Sequence, residues 1–301
     1  MPHPTIASTN PASIEIEYET FGSPDDPALL LVMGFTAQLI AWDDELCELL
    51  AAGGRYVIRF DNRDTGLSTH LDGQSVNPMA VLQAKLAGGE VPDVPYTLSD
   101  MGNDAVGLLD ALGIDTAHVM GASMGGMIVQ TMAIEHPERC RSMISVMSSP
   151  GDPRTGAATP EALEVLLSPP PTDRDAYITA AERSAVWASK RHVDVARLRD
   201  RAAAAYDRAF YPQGAPRQLA AIYASGDRTD ALAKVEVPTL VIHGRDDTLI
   251  TPDGGRATAE AIPGANLLLV ADMGHDLPPP LWPLIVDAVI SHTNLAERGV
   301  A

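Results

Sequence analysis

A serine, an acid and a histidine set far apart in these 301 residues have the types and surroundings needed to cleave an acyl bond. Ser123 lies in Gly121-Ala-Ser-Met-Gly125, between the apolar run Ala117–Met120 and the helix-like stretch Met124–His136. A sharp strand-to-helix turn strains the serine backbone, and residues two before and two after it must lack side chains to avoid collision. Gly121 and Gly125 meet that need. Ser123 is then lifted to a helix amino terminus, where partial positive charge favours a developing anion. A serine that merely caps a helix beside packing glycines would look the same in isolation. The strand before it and the helix after it favour the chemical reading.

A serine hydroxyl needs a base at neutral pH, and imidazole suits that role because its pKa lies near operating pH. Of eight histidines, His275 follows the last apolar strand in a loop before the final helix, where it could face Ser123. His118 begins a strand and His136 ends a helix. His243 ends a strand before Gly244, where packing explains it better, and His3, His70, His192 and His292 have no comparable setting. The base needs an acid to hold its tautomer. Asp246 and Asp247 both stand in the loop after Thr239–His243, and Asp272 and Asp276, beside His275, read as turn residues. An oxyanion hole needs two converging backbone N–H groups. Met124 supplies one and Phe35, behind the turn at Gly34, the other.

These residues must be carried by a scaffold. Ala28–Met33, Tyr56–Phe60, Ala117–Met120, Arg141–Met147, Thr239–His243 and Asn266–Val270 read as buried strands, and Ile14–Tyr18 alternates like an edge strand. Helical stretches lie between them at Ala41–Ala52, Leu98–Leu112, Met124–His136 and Leu281–His292. Continuous apolar strands alternating with amphipathic helices imply a mostly parallel sheet covered on both faces. The rhythm breaks between Pro150 and Leu232, which reads as Pro/Gly loops with helices at Asp175–Ser189 and Asp194–Phe210. That segment holds 11 acidic and 11 basic residues, so the remainder carries the whole formal charge of −19. A neutral helical insert between strands of an acidic core fits a cap over the carboxyl ends of the strands. Its aromatic residues, Tyr177, Trp187, Tyr206, Phe210, Tyr211 and Tyr223, suit either an apolar substrate pocket or the cap's own core, the latter for most of them.

An acidic excess of this size, with three lysines and no basic run, argues against nucleic acid and anionic membrane surfaces as partners. No apolar run reaches the roughly 20 residues of a membrane span, and the opening lacks an apolar signal core, so a soluble cytoplasmic protein is expected. Cys47 and Cys140 read as buried small hydrophobes rather than a disulfide framework. Neither metal-ligand spacing nor a dinucleotide-binding glycine pattern appears, so no metal or cofactor is expected. A monomer or homodimer is consistent with all of this.

From about Glu15 to His292 the sequence resembles the α/β-hydrolase superfamily. Leu31-Val-Met-Gly34 followed by Trp42, Arg59-Phe-Asp-Asn-Arg-Asp-Thr-Gly-Leu-Ser68 and Gly121–Gly126 are similar to actinobacterial esterases of the aclacinomycin methylesterase and mycobacterial lipase/esterase types. The order Ser…Asp…His is also that of this superfamily. The resemblance implies a Ser123, Asp247, His275 triad and selects Asp247 over Asp246, although Asp247-Thr-Leu-Ile-Thr-Pro252 carries one residue more than the family pattern. Many relatives have His-Gly where this chain has Met33-Gly34; the hole uses backbone groups, so catalysis is not threatened. Asp61–Ser68 has a structural role in the family. The expected fold is a mostly parallel twisted sheet with helices on both faces and a helical cap inserted after the sixth strand. The core spans residues 1–149 and 233–301, and the cap 150–232. The expected activity is hydrolysis of small to medium acyl or methyl esters through an acyl-enzyme, with lipid esters and thioesters within reach. Lactonase and cofactor-free perhydrolase or haloperoxidase chemistry use the same triad. A non-catalytic ligand receptor could keep the same fold.

Overall fold

A computed structural model describes residues 4–8 and 13–299 of the chain. Its large sheet has seven strands, β3 (Tyr18–Phe21), β4 (Ala28–Val32), β5 (Tyr56–Phe60), β6 (Ala117–Ala122), β7 (Cys140–Val146), β8 (Thr239–Gly244) and β9 (Asn266–Val270), ordered β3-β5-β4-β6-β7-β8-β9. Only β3 runs antiparallel. β4, β6 and β8 are buried from end to end, the pattern of parallel strands covered on both faces. Side chains alternate across the pleat. Leu30 and Val32 join a core with helices α3 (Leu98–Ala111) and α4 (Met124–Glu135), while Leu29 and Leu31 face α1 (Asp44–Ala52) and α11 (Trp282–Glu297). Free Cys47 and Cys140 are buried in these two cores, and apolar surroundings push both thiols up to about 12.

The stretch expected as one edge strand, Ile14–Tyr18, is divided. β2 (Ser13–Glu15) pairs with β1 (Thr5–Ala7) in a separate antiparallel sheet, and the chain then turns into β3. Ile14 and Ile16 are buried while Glu15 is exposed, so the alternation holds through the break. Because β1 and β2 pair with each other, the strand before the helical insert, β7, is the fifth of the large sheet and the seventh of the chain rather than the sixth expected.

Between Val146 and Thr239 the chain forms no strand. It carries α5 (Pro160–Leu167), α6 (Arg174–Ala181), α7 (Val195–Ala209), α8 (Ala215–Ser225) and the single turn α9 (Thr229–Leu232). Tyr177, Tyr206 and Phe210 pack ring on ring at 4.5 to 5.5 Å, giving α6 and α7 a small core of their own. Tyr211 instead stacks on His70 of the core at 3.6 Å. The segment after β5 ties insert to core. Asp64 is paired with Arg217 of α8 at 2.7 Å and accepts the Tyr96 hydroxyl, and Asp61 is paired with Arg208 of α7 at 2.7 Å. No helix among the described residues is long and apolar enough to cross a membrane.

Candidate active site

Ser123 stands between the last residue of β6 and the first of α4 with φ of 59° and ψ of −119°, left-handed backbone that non-glycine residues avoid. The strain is held by its neighbours. A Cβ on Gly121 would collide with Gly125 O, and one on Gly125 with Val32 O, so the turn closes only with both glycines. Ser123 N donates to Val146 O at 2.9 Å, and the Ser148 hydroxyl donates to Ser123 O at 2.8 Å. The side chain is half-buried at the carboxyl edge of the sheet, and Met124 opens α4, where N–H groups have no intrahelical acceptor.

His275 and Asp247 come from the loops after β9 and β8. Asp247 Oδ2 lies 2.7 Å from His275 Nδ1, and its Oδ1 accepts the N–H groups of Leu249 and Ile250 at 2.9 Å. Burial pushes the Asp247 carboxyl up, but the imidazoles of His275 and His243 outweigh it and hold the pKa at about 2. With a carboxylate on Nδ1, the imidazole keeps its proton there and leaves Nε2 free to accept one. Asp246 points elsewhere: it is half-buried, 3.9 Å from Lys190 Nζ. His243 is wholly buried behind the pair, with Nε2 2.8 Å from Ile250 O and 3.4 Å from Asp247 Oδ2. The Ser123 hydroxyl makes no hydrogen bond among the described residues.

The histidine loop is clamped by the insert. His275 N donates to Trp187 O at 2.7 Å, and a Cβ on Gly274 would strike that same carbonyl. Ser189 N donates to Asp276 Oδ1 at 3.0 Å, and the Ser189 hydroxyl donates to Asp272 O. Asp276 thus ties the loop to the insert, a larger part than the turn residue expected.

Gly34 brings the loop after β4 against the serine: a Cβ there would lie 3.0 Å from Ser123 Cβ and 3.6 Å from its Oγ. Gly34, with Phe35 next in the chain, and Met124 therefore approach the serine from the loop after β4 and from the head of α4. Helices of the insert hold this loop as well. Thr36 N donates to Gln218 Oε1 at 2.8 Å, and Gln38 Nε2 donates to Ala205 O and Ala209 O at 2.7 and 2.8 Å, satisfying carbonyls at the end of α7. No short-range signal marks Gln38, Ser189 or Gln218 as clamps, because the loops and helix ends they hold lie 83 to 182 positions away.

The other histidines are occupied elsewhere. His118 is buried between Ser142 and Glu297, His136 meets Asn103, His70 stacks on Tyr211, His292 lies against Pro238 O, and the His192 backbone bonds Ser189. His3 lies outside the described residues. Among the described residues no group of three or more His, Cys, Asp or Glu side chains could hold a metal ion.

Comparison with known proteins agrees with this architecture. A family model described as alpha/beta hydrolase fold matches residues 27–278. Rhodomycin D methylesterase DauP of Streptomyces sp. (strain C5) is 28% identical, over 92% of this chain and 94% of its own. Rhodomycin D methylesterase DnrP of Streptomyces peucetius is also 28% identical, over 97% of this chain and 99% of its own. Among solved structures, the enol-lactonase from Burkholderia xenovorans LB400 superposes with a TM-score of 0.71 over 97% of this chain and 100% of that one, at 22% identity, a likeness of fold.

Proposed function

The chain belongs to the α/β-hydrolase family, and from that premise we propose that it is a serine-dependent hydrolase of uncharged carboxylic esters. The observation that carries the reading is the strained Ser123 at the head of α4 on the same sheet edge as the 2.7 Å His275–Asp247 pair. His275 Nε2 takes the hydroxyl proton as Ser123 Oγ attacks the ester carbonyl. The carbonyl oxygen becomes an oxyanion held by the N–H groups of Phe35 and Met124. Collapse of the tetrahedral intermediate breaks the ester C–O bond, and His275 returns its proton to the departing alcohol. An acyl-enzyme remains. Water, deprotonated by His275, attacks it and releases the acid and the serine. Asp247 stays ionised throughout and stabilises the imidazolium.

The helical insert, residues 150–232, serves as the cap over this edge. Likeness to two methylesterases along nearly the whole chain supports methyl esters, together with small to medium acyl esters, as the substrate class. Two measurements test the reading. p-Nitrophenyl and methyl esters of graded acyl length should be hydrolysed with a burst of alcohol, and a fluorophosphonate should label Ser123 alone. Ser123→Ala should abolish both, with a loss of up to about 10⁶ in kcat where the background is low. Undiminished hydrolysis by that variant would overturn the proposal.

A further inference from the structure

Gly34, Phe35, Thr36 and Ala37 form a tight turn closed by Ala37 N donating to Gly34 O at 3.3 Å. Thr36, its third residue, has φ of 58°, whereas Phe35 has no positive φ. That is the signature of a type II turn, which favours glycine at this position; a β-branched residue there is strained. Thr36 is exposed, so burial of its side chain does not compensate. The compensation comes from α8. Gln218 is fully buried, and its Oε1 accepts the Thr36 N–H at 2.8 Å. Its Nε2 donates to Arg63 O at 3.0 Å and to Thr65 Oγ1 at 2.7 Å. With both amide ends engaged the group has one orientation, because reversing it would set an NH2 against the Thr36 N–H. In a type I turn the central peptide is rotated and its N–H leaves Gln218.

We infer that Gln218 is a positioning residue of the oxyanion hole: it holds the strained Gly34–Ala37 turn in the conformation that presents the Phe35 N–H beside Ser123. The inference rests on the serine-hydrolase reading above. The helical insert thereby sets catalytic geometry from a helix that supplies no group to the reaction.

The test compares Gln218→Met, which removes the acceptor, with Gln218→Glu, which retains it, each alone and combined with Thr36→Gly. On p-nitrophenyl acetate, Gln218→Met should lower kcat roughly 10- to 100-fold, less than the 10²–10³ of deleting an oxyanion donor, with KM within about threefold. Gln218→Glu should keep more of kcat than Gln218→Met although it buries a charge. A merely structural role predicts the reverse order. Thr36→Gly should recover part of the loss in either background, since glycine takes a positive φ without strain. Should Gln218→Met not accumulate as folded protein, Gln218→Glu with and without Thr36→Gly carries the test. Amide exchange over residues 34–38 should rise in Gln218→Met whether or not substrate turns over. Wild-type kcat in Gln218→Met, a change confined to KM, or no gain from Thr36→Gly would overturn the inference. Failure of the hydrolase reading is distinct, because it would show as no turnover by the wild-type protein.

Discussion

In the α/β core the serine is placed by its near surroundings: two glycines, a carbonyl at the end of β7, the Ser148 hydroxyl just beyond it and the head of α4 hold Ser123 in its strained conformation. In the helical insert the relation is reversed. It contributes no group to the proposed chemistry, yet Trp187 O and Ser189 clamp the histidine loop while Gln218 and the end of α7 clamp the loop after β4. The two regions differ in charge too, since the core carries the entire −19 and residues 150–232 balance. On the proposed mechanism, the core would fix where attack begins, and the insert would set how well the base and the oxyanion donors meet it. Damage to the core should therefore abolish chemistry, and damage to the clamps should grade it.

After loss of the serine itself, the largest effect belongs to the acid. Asp247→Asn should lower kcat by about 10⁴, the loss seen when a buried triad aspartate becomes an amide and the histidine adopts the wrong tautomer. Asp246→Asn, facing Lys190 at 3.9 Å, should stay within a few-fold of wild type. Kinetics of the two variants on one p-nitrophenyl ester decides between them, and the opposite order would move the acid by one residue. The same carboxylate leaves a mark on stability. Its folded pKa of about 2 lies below the unfolded value, so its contribution is fully present above about pH 4 and is lost as pH falls toward 2. Melting curves of Asp247→Asn should lack that part of the acid decline.

Breaking a clamp should cost less. Gly274→Ala drives a Cβ into Trp187 O, so the histidine loop must part from the insert. Roughly 10- to 100-fold loss in kcat is expected, the scale of a misplacement of about 1 Å. Ser189→Ala removes only hydroxyl contacts, to Asp272 O and from His192 N, and should cost under about tenfold. Both variants should remain open to fluorophosphonate at Ser123, though more slowly, because the elbow is untouched. If either abolished labelling outright, the division between placing and tuning would fall.

Legibility in the sequence follows the same division. The strands that carry the serine and the acid are continuous apolar runs because the sheet is covered on both faces, and the elbow glycines stand within two residues of Ser123, so both could be read locally. Apart from β1, the elements that local pattern does not mark are helical. α2 (Pro78–Leu86), α5, α8 and α10 (Pro252–Ala261) each carry proline in the first two positions, and such stretches look like loops unless proline is taken as a helix-start signal. The clamps escaped for another reason. A buried glutamine such as Gln218 becomes informative only when the fold brings it to Thr36.

The smallest effect, and the one that ties the two regions together, is electrostatic. An anionic ester approaching the site meets the field of the −19 core. The insert's cations along the histidine loop offset only part of that field, each facing one core carboxylate: Lys190 with Asp246 at 3.9 Å, Arg191 with Asp272 at 3.1 Å and Arg197 with Asp43 at 2.8 Å. A neutral ester of matched acyl length feels no such repulsion. At low salt, kcat/KM for the anionic ester should therefore fall below that of the neutral one and rise roughly two- to fivefold as ionic strength reaches 0.1 M, where screening acts over about 10 Å. The neutral ester should show almost no response. Lys190→Gln leaves Asp246 without its partner and should deepen the salt response of the anionic ester while leaving the neutral ester unchanged. Equal salt responses for the two esters would show that the field at the entrance is set by groups other than the acidic core.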